Sequence, residues 1–270
     1  MRQTLLVAIA TFLIAGIAVG VAQTPAPAPA PAPSLGALAP ANLAKPRAKP
    51  PIDLTGVWLH GGGQNNGFRF SPPPGFKLTP EAQVHYDAAR KAQAEGKVYR
   101  DDIGQCWPAG LPVIMTRVWP IAVIQLPTAI YMVSEFMNSL RIIYMDGRQH
   151  PKDLAPSYYG HSIGHFEGDT LVVDTVGYNE RMWVSNLEGM PHTDRLHTIE
   201  RFTRTDFNTM RYEMTIDDPG AYTATWKTGW WVRFSPGVES FEYICQDNNK
   251  ADEMMVGTMG EVDRSSPFVP

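Results

Sequence analysis

The alternation of apolar and polar residues predicts that most of this chain forms short β-strands joined by tight turns. The clearest case is a hairpin over 158–178, in which Glu167 and Thr170 close a two-residue turn made of Gly168 and Asp169. Glycine in the first turn position is typical of a type II′ turn. The second arm is apolar and β-branched, which favours a strand.

The same pattern of short apolar runs bounded by turn residues recurs before and after this hairpin. It predicts further strands at 52–60, 121–125, 130–135, 140–144, 196–203, 210–217, 222–234 and 239–245. Many sequential antiparallel strands are typical of an all-β fold, an up-and-down, lipocalin-like β-barrel. A two-sheet β-sandwich is the alternative. A barrel of this size can hold one small ligand.

One peripheral helix is predicted near the start of this domain. Thr79 is suited to the N-cap, Pro80 to the first turn, and Glu81 complements the helix dipole. The helix is expected to run to about Glu95, and Gly96 suits the C-terminal cap.

The first 51 residues differ in composition from the rest of the chain. Residues 1–22 predict a secretory signal peptide, because Arg2 precedes an apolar run that ends in small residues. An uncleaved anchor is the alternative, since roughly 17 apolar residues approach the length of a membrane span. Residues 23–51 predict a Pro/Ala-rich disordered tether, and 52–270 a single β-barrel domain. We therefore expect a periplasmic or secreted protein with no stable membrane span after cleavage.

Charge and motifs exclude several function classes. The formal net charge is −4 and no basic run is present, so a nucleic-acid partner has no electrostatic support. The sequence contains no Walker loop, no dinucleotide-binding glycine motif and no His-Glu-x-x-His motif. We therefore expect no cofactor, and the oligomeric state stays open.

The two cysteines, Cys106 and Cys245, are far apart in the sequence. In an exported protein such a pair predicts a disulfide. A bond closing a loop of this length stabilises the fold by about 4–5 kcal/mol in the chain-entropy model. Two buried free thiols, or a catalytic Cys–His pair, are the alternatives.

The central hairpin places candidate catalytic groups on one face. His161 and His165 share a face because side chains alternate along a strand. The register set by the turn makes Asp174 diagonal to both, at a Cα separation of roughly 7–8 Å. A carboxylate beside imidazoles fixes a tautomer and raises the basicity of the other ring nitrogen. The alternative is that these histidines only bond to neighbours or water on a barrel wall.

A second polar group lies in the long segment 179–196. If this segment covers the barrel mouth, His192 and Asp194 face the first group and supply a catalytic partner. The alternative is that Thr193 or Asp194 caps a turn, and that His192 and His197 both face solvent.

The spacing of the histidines argues against a metal site, and no metal ligand is assigned. On a strand, His161 and His165 have Cα atoms roughly 13 Å apart, too far to meet at one ion. A mixed site that includes His192 or Asp194 is retained as an alternative, a metal-assisted hydrolase.

Aromatic and imidazole side chains predict a ligand-binding surface for a small, partly apolar molecule. Ordinary core packing is the alternative for the late aromatic residues. The candidate ligand-binding residues are Tyr159, His197, Tyr222, Trp226, Trp230 and Trp231.

Charged residues on two late strands are interpreted as cross-strand ion pairs on an outer face, with no functional role. These residues are Glu200, Arg201, Arg211 and Glu213.

Three stretches, 141–151, 160–177 and 215–219, resemble a large group of exported bacterial proteins of unknown function. The middle stretch contains the hairpin motif GHSxGxxEGDTLVVDT of that group. The resemblance covers most of the chain after the tether. It implies membership of the group and no particular activity.

Together these patterns favour an exported β-barrel enzyme that uses cofactor-free acid–base chemistry, as a lyase, isomerase or hydrolase. His161 or His165 is the expected base or acid, Asp174 orients it, and His192 or Asp194 is the partner. The alternative is a carrier barrel that binds a hydrophobic ligand without chemistry.

Overall fold

The computed structural model describes residues 35–61, 75–181 and 183–245, together with the backbone of 255–256. The predicted signal peptide and the first part of the predicted tether lie outside these residues. The strands in chain order are β1 Gly56–His60, β2 Val98–Tyr99, β3 Ile121–Gln125, β4 Ala129–Ser134, β5 Ser139–Tyr144, β6 His161–Glu167, β7 Thr170–Val176, β8 Trp183–Ser185, β9 Met190–Pro191, β10 His197–Arg204, β11 Thr209–Asp217, β12 Trp226–Phe234 and β13 Met255–Val256.

Within the described residues two α-helices accompany the strands, α1 over Pro40–Leu43 and α2 over Pro80–Ala94. Helix α2 is the predicted peripheral helix. The Oγ1 atom of Thr79 accepts a hydrogen bond from the Ala82 amide at 3.2 Å, which confirms the N-cap. Helix α1 is additional, because the sequence assigned its residues to the tether.

Nine strands form a closed barrel in the order β1-β12-β11-β10-β7-β6-β5-β4-β3. The barrel closes where β1 pairs with β3, with Val57 opposite Ala122. Closure gives the first and last strands of the sheet a partner, so neither is left as an open edge. The predicted mostly-β closed barrel is therefore confirmed.

The barrel is mixed, which differs from the antiparallel order that we expected. Strands β5 and β6 run parallel, with Ile143 opposite Ser162 and Tyr144 opposite Ile163. Parallel neighbours cannot be joined by a tight turn. Residues 145–160 therefore form a crossover that brings the chain back before β6 begins.

The predicted central hairpin is present with the expected register. Glu167 pairs with Thr170 and Ile163 with Asp174. Gly168 has φ +55°, whereas Asp169 is not among the residues with positive φ. A positive φ at the first turn position alone is the signature of a type II′ turn.

The predicted strand at 239–245 is wrong, because residues 239–244 contain no strand. Strand β12 pairs instead with β11 and β1, so both of its edges are occupied. The predicted disulfide between Cys106 and Cys245 is confirmed and attaches the segment after β12 to the body of the protein.

The part of the predicted tether that the structure describes contacts the barrel. The Oγ1 atom of Thr128 donates to the Ala37 carbonyl at 2.7 Å. The side-chain amide of Asn42 donates to Asp146 at 2.9 Å. Within the described ranges, no helix has the length and the apolar character needed to cross a membrane.

The interior of the barrel is packed with alternate side chains from its strands. Large residues that are 1% exposed or less include Trp58, Ile130, Ile143, Leu171, Phe202 and Tyr212. This alternation of buried and exposed positions is the period-2 pattern of strands with one face toward a core.

A buried ion pair crosses this interior. Arg141 on β5 donates from Nη1 to Glu200 Oε1 on β10 at 2.9 Å, and its Nη2 contacts Glu200 Oε2. The same Nη2 donates to the hydroxyl oxygens of Ser162 and Thr175, each at 3.1 Å. The Tyr212 hydroxyl donates to Glu200 at 2.8 Å. We call these five residues the interior network.

The outer-face interpretation of Glu200 is therefore wrong, because this carboxylate is 0% exposed inside the barrel. Arg201 and Arg211 do form exposed ion pairs, but with Glu167 and Glu213 respectively. A charge can be buried here because Arg141 and hydroxyl groups satisfy its hydrogen bonds.

We predict that the interior network shows strong coupling in a double-mutant cycle. Arg141→Leu or Glu200→Leu alone should lower the free energy of unfolding by about 3–5 kcal/mol, because each leaves an unpaired buried charge. The double variant should lose less than the sum. Urea unfolding measures all three, and the exposed Arg211→Ala change, expected within about 1 kcal/mol, is the control. Additive losses would contradict this coupling.

Candidate functional site

Three strands that contribute to the interior network present a second set of polar residues outward. Ser162 on β6 and Thr175 on β7 are 1% and 0% exposed inside the barrel. Their neighbours His161 and Asp174 therefore point to the outside. On β10 the same alternation places His197 outward, next to buried positions of the interior.

Asp174 lies on the middle strand of the three. It pairs with Ile163 on β6 and with Ile199 on β10, so His161 and His197 both lie diagonal to it. The Nε2 atom of His197 is 2.9 Å from Oδ1 of Asp174. His197, which the sequence assigned to ligand binding, thus contacts the candidate catalytic carboxylate directly.

A residue that the sequence analysis did not select completes this group. His150 lies in the crossover between β5 and β6, and its Nε2 atom is 3.2 Å from Asp174 Oδ1. The Nδ1 atoms of His150 and His161 are 2.8 Å apart. His150, His161, Asp174 and His197 therefore form one hydrogen-bonded chain, which we call the outer-wall cluster. The sequence offered one indication that His150 is functional. It lies in the stretch 141–151, one of the three stretches that resemble the group of exported bacterial proteins.

Two glycines allow the backbone to adopt the turns that bring the crossover and the start of β6 to the cluster. Gly147 has φ +78°, which turns the chain after β5. Gly160 has φ +61°, and a Cβ atom there would lie 2.7 Å from the Val176 carbonyl oxygen. Any larger residue at 160 would displace β6 just before His161.

An aromatic ring and an arginine cover one side of His161. The ring of Tyr144 stacks on the imidazole with centroids 5.0 Å apart, and the Arg148 guanidinium lies 4.0 Å above the Tyr144 ring. Arg148 is held by Asp146 through hydrogen bonds of 2.8 and 2.6 Å. The hydrogen bonds from Arg148 lower the pKa of Asp146 to about 2, so this carboxylate stays ionised.

Hydrogen-bond chemistry assigns the protons in the cluster. An ionised carboxylate only accepts hydrogen bonds, so the Nε2 atoms of His150 and His197 donate to Asp174. Neutral His150 then has its lone pair at Nδ1, and the Nδ1–H of His161 donates to it. This leaves the lone pair of His161 at Nε2, for which the described residues provide no hydrogen-bond partner.

The surroundings keep His161 neutral. Burial lowers the pKa of His161, and the nearby His150 and Arg148 lower it further. A proton taken up at Nε2 allows His161 to pass its Nδ1 proton to His150. The resulting imidazolium would lie against the Asp174 carboxylate, which stabilises the charge. The cluster therefore has the connectivity of a proton relay.

The cluster has a poor arrangement for a metal ion. His150 directs one ring nitrogen toward His161 and the other toward Asp174, so the donor atoms do not surround a common point. In the part of the chain that the structure describes, no three His, Cys, Asp or Glu side chains are placed to hold an ion.

The structure does not bring the other candidate catalytic residues into this cluster. The His165 side chain is 62% exposed, and its Nε2 is 3.2 Å from Glu167. Asp194 is exposed. His192 is buried below α2, where its Nδ1 is 3.0 Å from the Thr193 carbonyl oxygen. Among the described hydrogen bonds, none joins these residues to the outer-wall cluster.

The candidate ligand-binding aromatic residues mostly belong to the core. Tyr222, Trp226 and Trp230 are between 3% and 7% exposed. Tyr159 packs against the same core. Trp231 is half-buried on the outward side of β12.

No protein-family model, no curated protein and no solved structure matches this chain. The candidate site is therefore argued from its own geometry.

We predict that the protein loses stability in mild acid. Burial lowers the pKa of His85, His161 and His192 below 6.5, and that of His60 to about 4. Below pH 6.5 the unfolded chain therefore binds more protons than the folded protein, so the free energy of unfolding falls as the pH falls.

Urea unfolding from about pH 7.5 to about pH 5 measures this slope. His161→Gln should reduce the slope, because it removes one of the histidines whose pKa burial lowers. A flat profile in the wild-type protein would contradict the pKa directions.

Proposed function

We propose that this protein is an exported enzyme that performs cofactor-free acid–base chemistry with His161 as the base. The single observation that supports this is the hydrogen-bonded chain from His161 through His150 to Asp174. His150 receives the proton from His161, and Asp174 stabilises the charged form. His197 holds the carboxylate from the other side. The reaction class is that of a lyase, isomerase or hydrolase.

The neighbourhood of the base favours a small, partly apolar substrate. Ile163 follows His161 on the same outward face of β6. The parallel register that pairs Ile143 with Ser162 puts Ile142 beside His161 on β5. These apolar side chains, next to the ring of Tyr144, suit a molecule that has both an apolar part and an acidic proton or electrophilic carbon.

The location and the family are part of the same proposal. The disulfide between Cys106 and Cys245 supports a periplasmic or secreted location, because such bonds persist in oxidising compartments. The hairpin motif supports membership of the exported bacterial group described above. A lipocalin-like architecture is the finer description that we propose for the closed barrel.

We predict that Asp174→Asn and His161→Gln each lower turnover by about 100-fold or more, because both interrupt the relay. His165→Gln is the matched control, since it lies on the same face of the same strand and outside the cluster. The assay follows hydrolysis of small apolar esters, and deuterium exchange next to the carbonyl of small ketones, by NMR. Circular dichroism confirms that each variant is folded.

Equal turnover in folded wild-type and Asp174→Asn proteins would reject the proposal. Turnover that disappears on adding a chelator, and returns with metal, would indicate a metal-assisted hydrolase instead. Binding of apolar molecules without turnover of any of the esters or ketones would indicate a carrier.

We also predict the direction of the pH profile. Catalysis requires neutral His161, whose pKa burial lowers below 6.5, so kcat/KM should rise with pH along an acid limb whose midpoint lies below 6.5. Rate measurements across this range in His150→Gln should show a lower plateau, because the proton acceptor for His161 is lost. If the pH profile of kcat/KM in His150→Gln has the same plateau and the same midpoint as in the wild-type protein, the relay is contradicted.

A further inference from the structure

The outward face of strands β3, β4 and β5 is apolar. Val123, Met132 and Arg141 on these strands are buried in the barrel, so the residues on either side of them point outward. All three strands lie within the described part of the chain, and none of their outward positions carries a charged side chain. Ile124 and Leu140 are 48% and 51% exposed, and the other members of the face are half-buried. The accessible outward residues are Ala122, Ile124, Tyr131, Val133, Leu140, Ile142 and Tyr144.

The strand register aligns three of these residues with the proposed base. Ile124 pairs with Tyr131, and Tyr131 pairs with Ile142. The parallel pairing of β5 with β6 places Ile142 beside His161. Ile142, Tyr131 and Ile124 therefore form a straight line across the sheet that starts at His161, and we call these three residues the apolar row. Neighbouring strands are about 4.8 Å apart, so the row extends roughly 14 Å from His161.

A second line of apolar residues widens this surface. Leu140 pairs with Val133, Val133 with Ala122, and Ala122 with Val57 on β1. Together the two lines measure about 19 Å by 14 Å, or roughly 270 Å². A stable protein interface buries about 800 Å² on each partner. The surface therefore has the size of a small elongated molecule and is too small for a second copy of this chain.

Charge is distributed unevenly around the barrel wall. Strands β10, β11 and β12 also alternate buried and accessible positions, but their outward positions carry many charged side chains. An ionic or strongly polar ligand would find partners there, whereas β3 to β5 offer it none. Apolar patches bordered by polar residues are typical of ligand-binding surfaces. The charged outward residues of β10 to β12 are Arg201, Arg211, Glu213, Asp217, Lys227 and Arg233.

We propose that the apolar row binds the unbranched alkyl chain of a substrate whose reacting carbonyl group lies at His161. This inference rests on the proposed acid–base function and names its substrate class. An extended alkyl chain advances about 1.3 Å per bond, so roughly ten carbon atoms span the row. The flat surface leaves one side of the chain in water, and each methylene group therefore gains about half of the effect of full burial.

The test is a titration of the full chain, labelled with ¹³C at the δ1 methyl groups of isoleucine. The probes are 2-pentanone, 2-heptanone, 2-nonanone and 2-undecanone. We expect the affinity to rise about fourfold from each ketone to the next, because two methylene groups are added each time. The NMR resonance of Ile142 should move with every ketone, and that of Ile124 mainly with 2-undecanone. Ile216, which is 0% exposed inside the barrel, is the internal control.

A charge at the far end of the row provides the second measurement. Ile124→Lys should weaken binding of 2-undecanone by about tenfold, and it should leave 2-pentanone unaffected because the shorter ketone ends near Ile142. Leu187→Lys is the matched control, since Leu187 is a similarly exposed aliphatic residue (55%) outside both lines. It should keep the wild-type dissociation constants. Should Ile124→Lys fail to fold, the wild-type series decides the result by itself.

Three outcomes would overturn the inference. The first is an equal dissociation constant for all four ketones. The second is a shift of the Ile216 resonance as large as that of Ile142, which indicates binding elsewhere. The third is a doubled mass in sedimentation, with Ile124 shifts that appear on concentrating the protein alone. That result would assign the surface to a second copy of the chain.

Binding and turnover are measured separately, so that this inference and the proposed function fail in different ways. The titration is repeated with His161→Gln, which removes the base and leaves the apolar row. Length-dependent binding in both proteins without deuterium exchange in either would support the alkyl site and reject the acid–base function. Exchange with the same kcat/KM for all four ketones would support the function and overturn the inference.

Discussion

The buried ion pair between Arg141 and Glu200 is the constraint on which the barrel wall depends. Two charges inside a barrel are tolerated only when every polar atom around them is satisfied. Strands β6, β7 and β10 satisfy the Arg141 guanidinium because they turn Ser162, Thr175 and Glu200 inward, where each accepts a hydrogen bond from it. Because side chains alternate, the same strands must then present the next residues outward. The interior network thus fixes the face on which the outer-wall cluster forms.

The cluster uses this fixed wall as a rigid base and adds one residue from a loop. Strands hold His161, Asp174 and His197 in register, while the crossover after β5 brings His150 between two of them. Side chains on rigid strands keep their hydrogen-bond geometry better than side chains on a loop alone. Because the interior is packed, the side chains of the outer-wall cluster are accessible only from the outside of the barrel.

Much of the local structure follows from the sequence, because its causes are local. The Gly168–Asp169 turn, the Thr79 cap and the strand periodicity each depend on neighbouring residues. The disulfide was predicted from two cysteines in a chain whose first residues predict a signal peptide. Glu200 was misplaced because a charged residue in a strand is usually exposed, and its buried partner Arg141 lies 59 residues away.

The linear chain already predicts a mostly-β fold with a central hairpin, and it places Asp174 diagonal to His161. These features depend on alternation and on the type of a two-residue turn. Three features emerge only in the folded chain: β5 and β6 run parallel, the hairpin turns its histidines outward, and His150 joins them. Those outcomes depend on which strands become neighbours when the barrel closes. That choice is set by burying side chains distant in sequence, and a local pattern does not encode it.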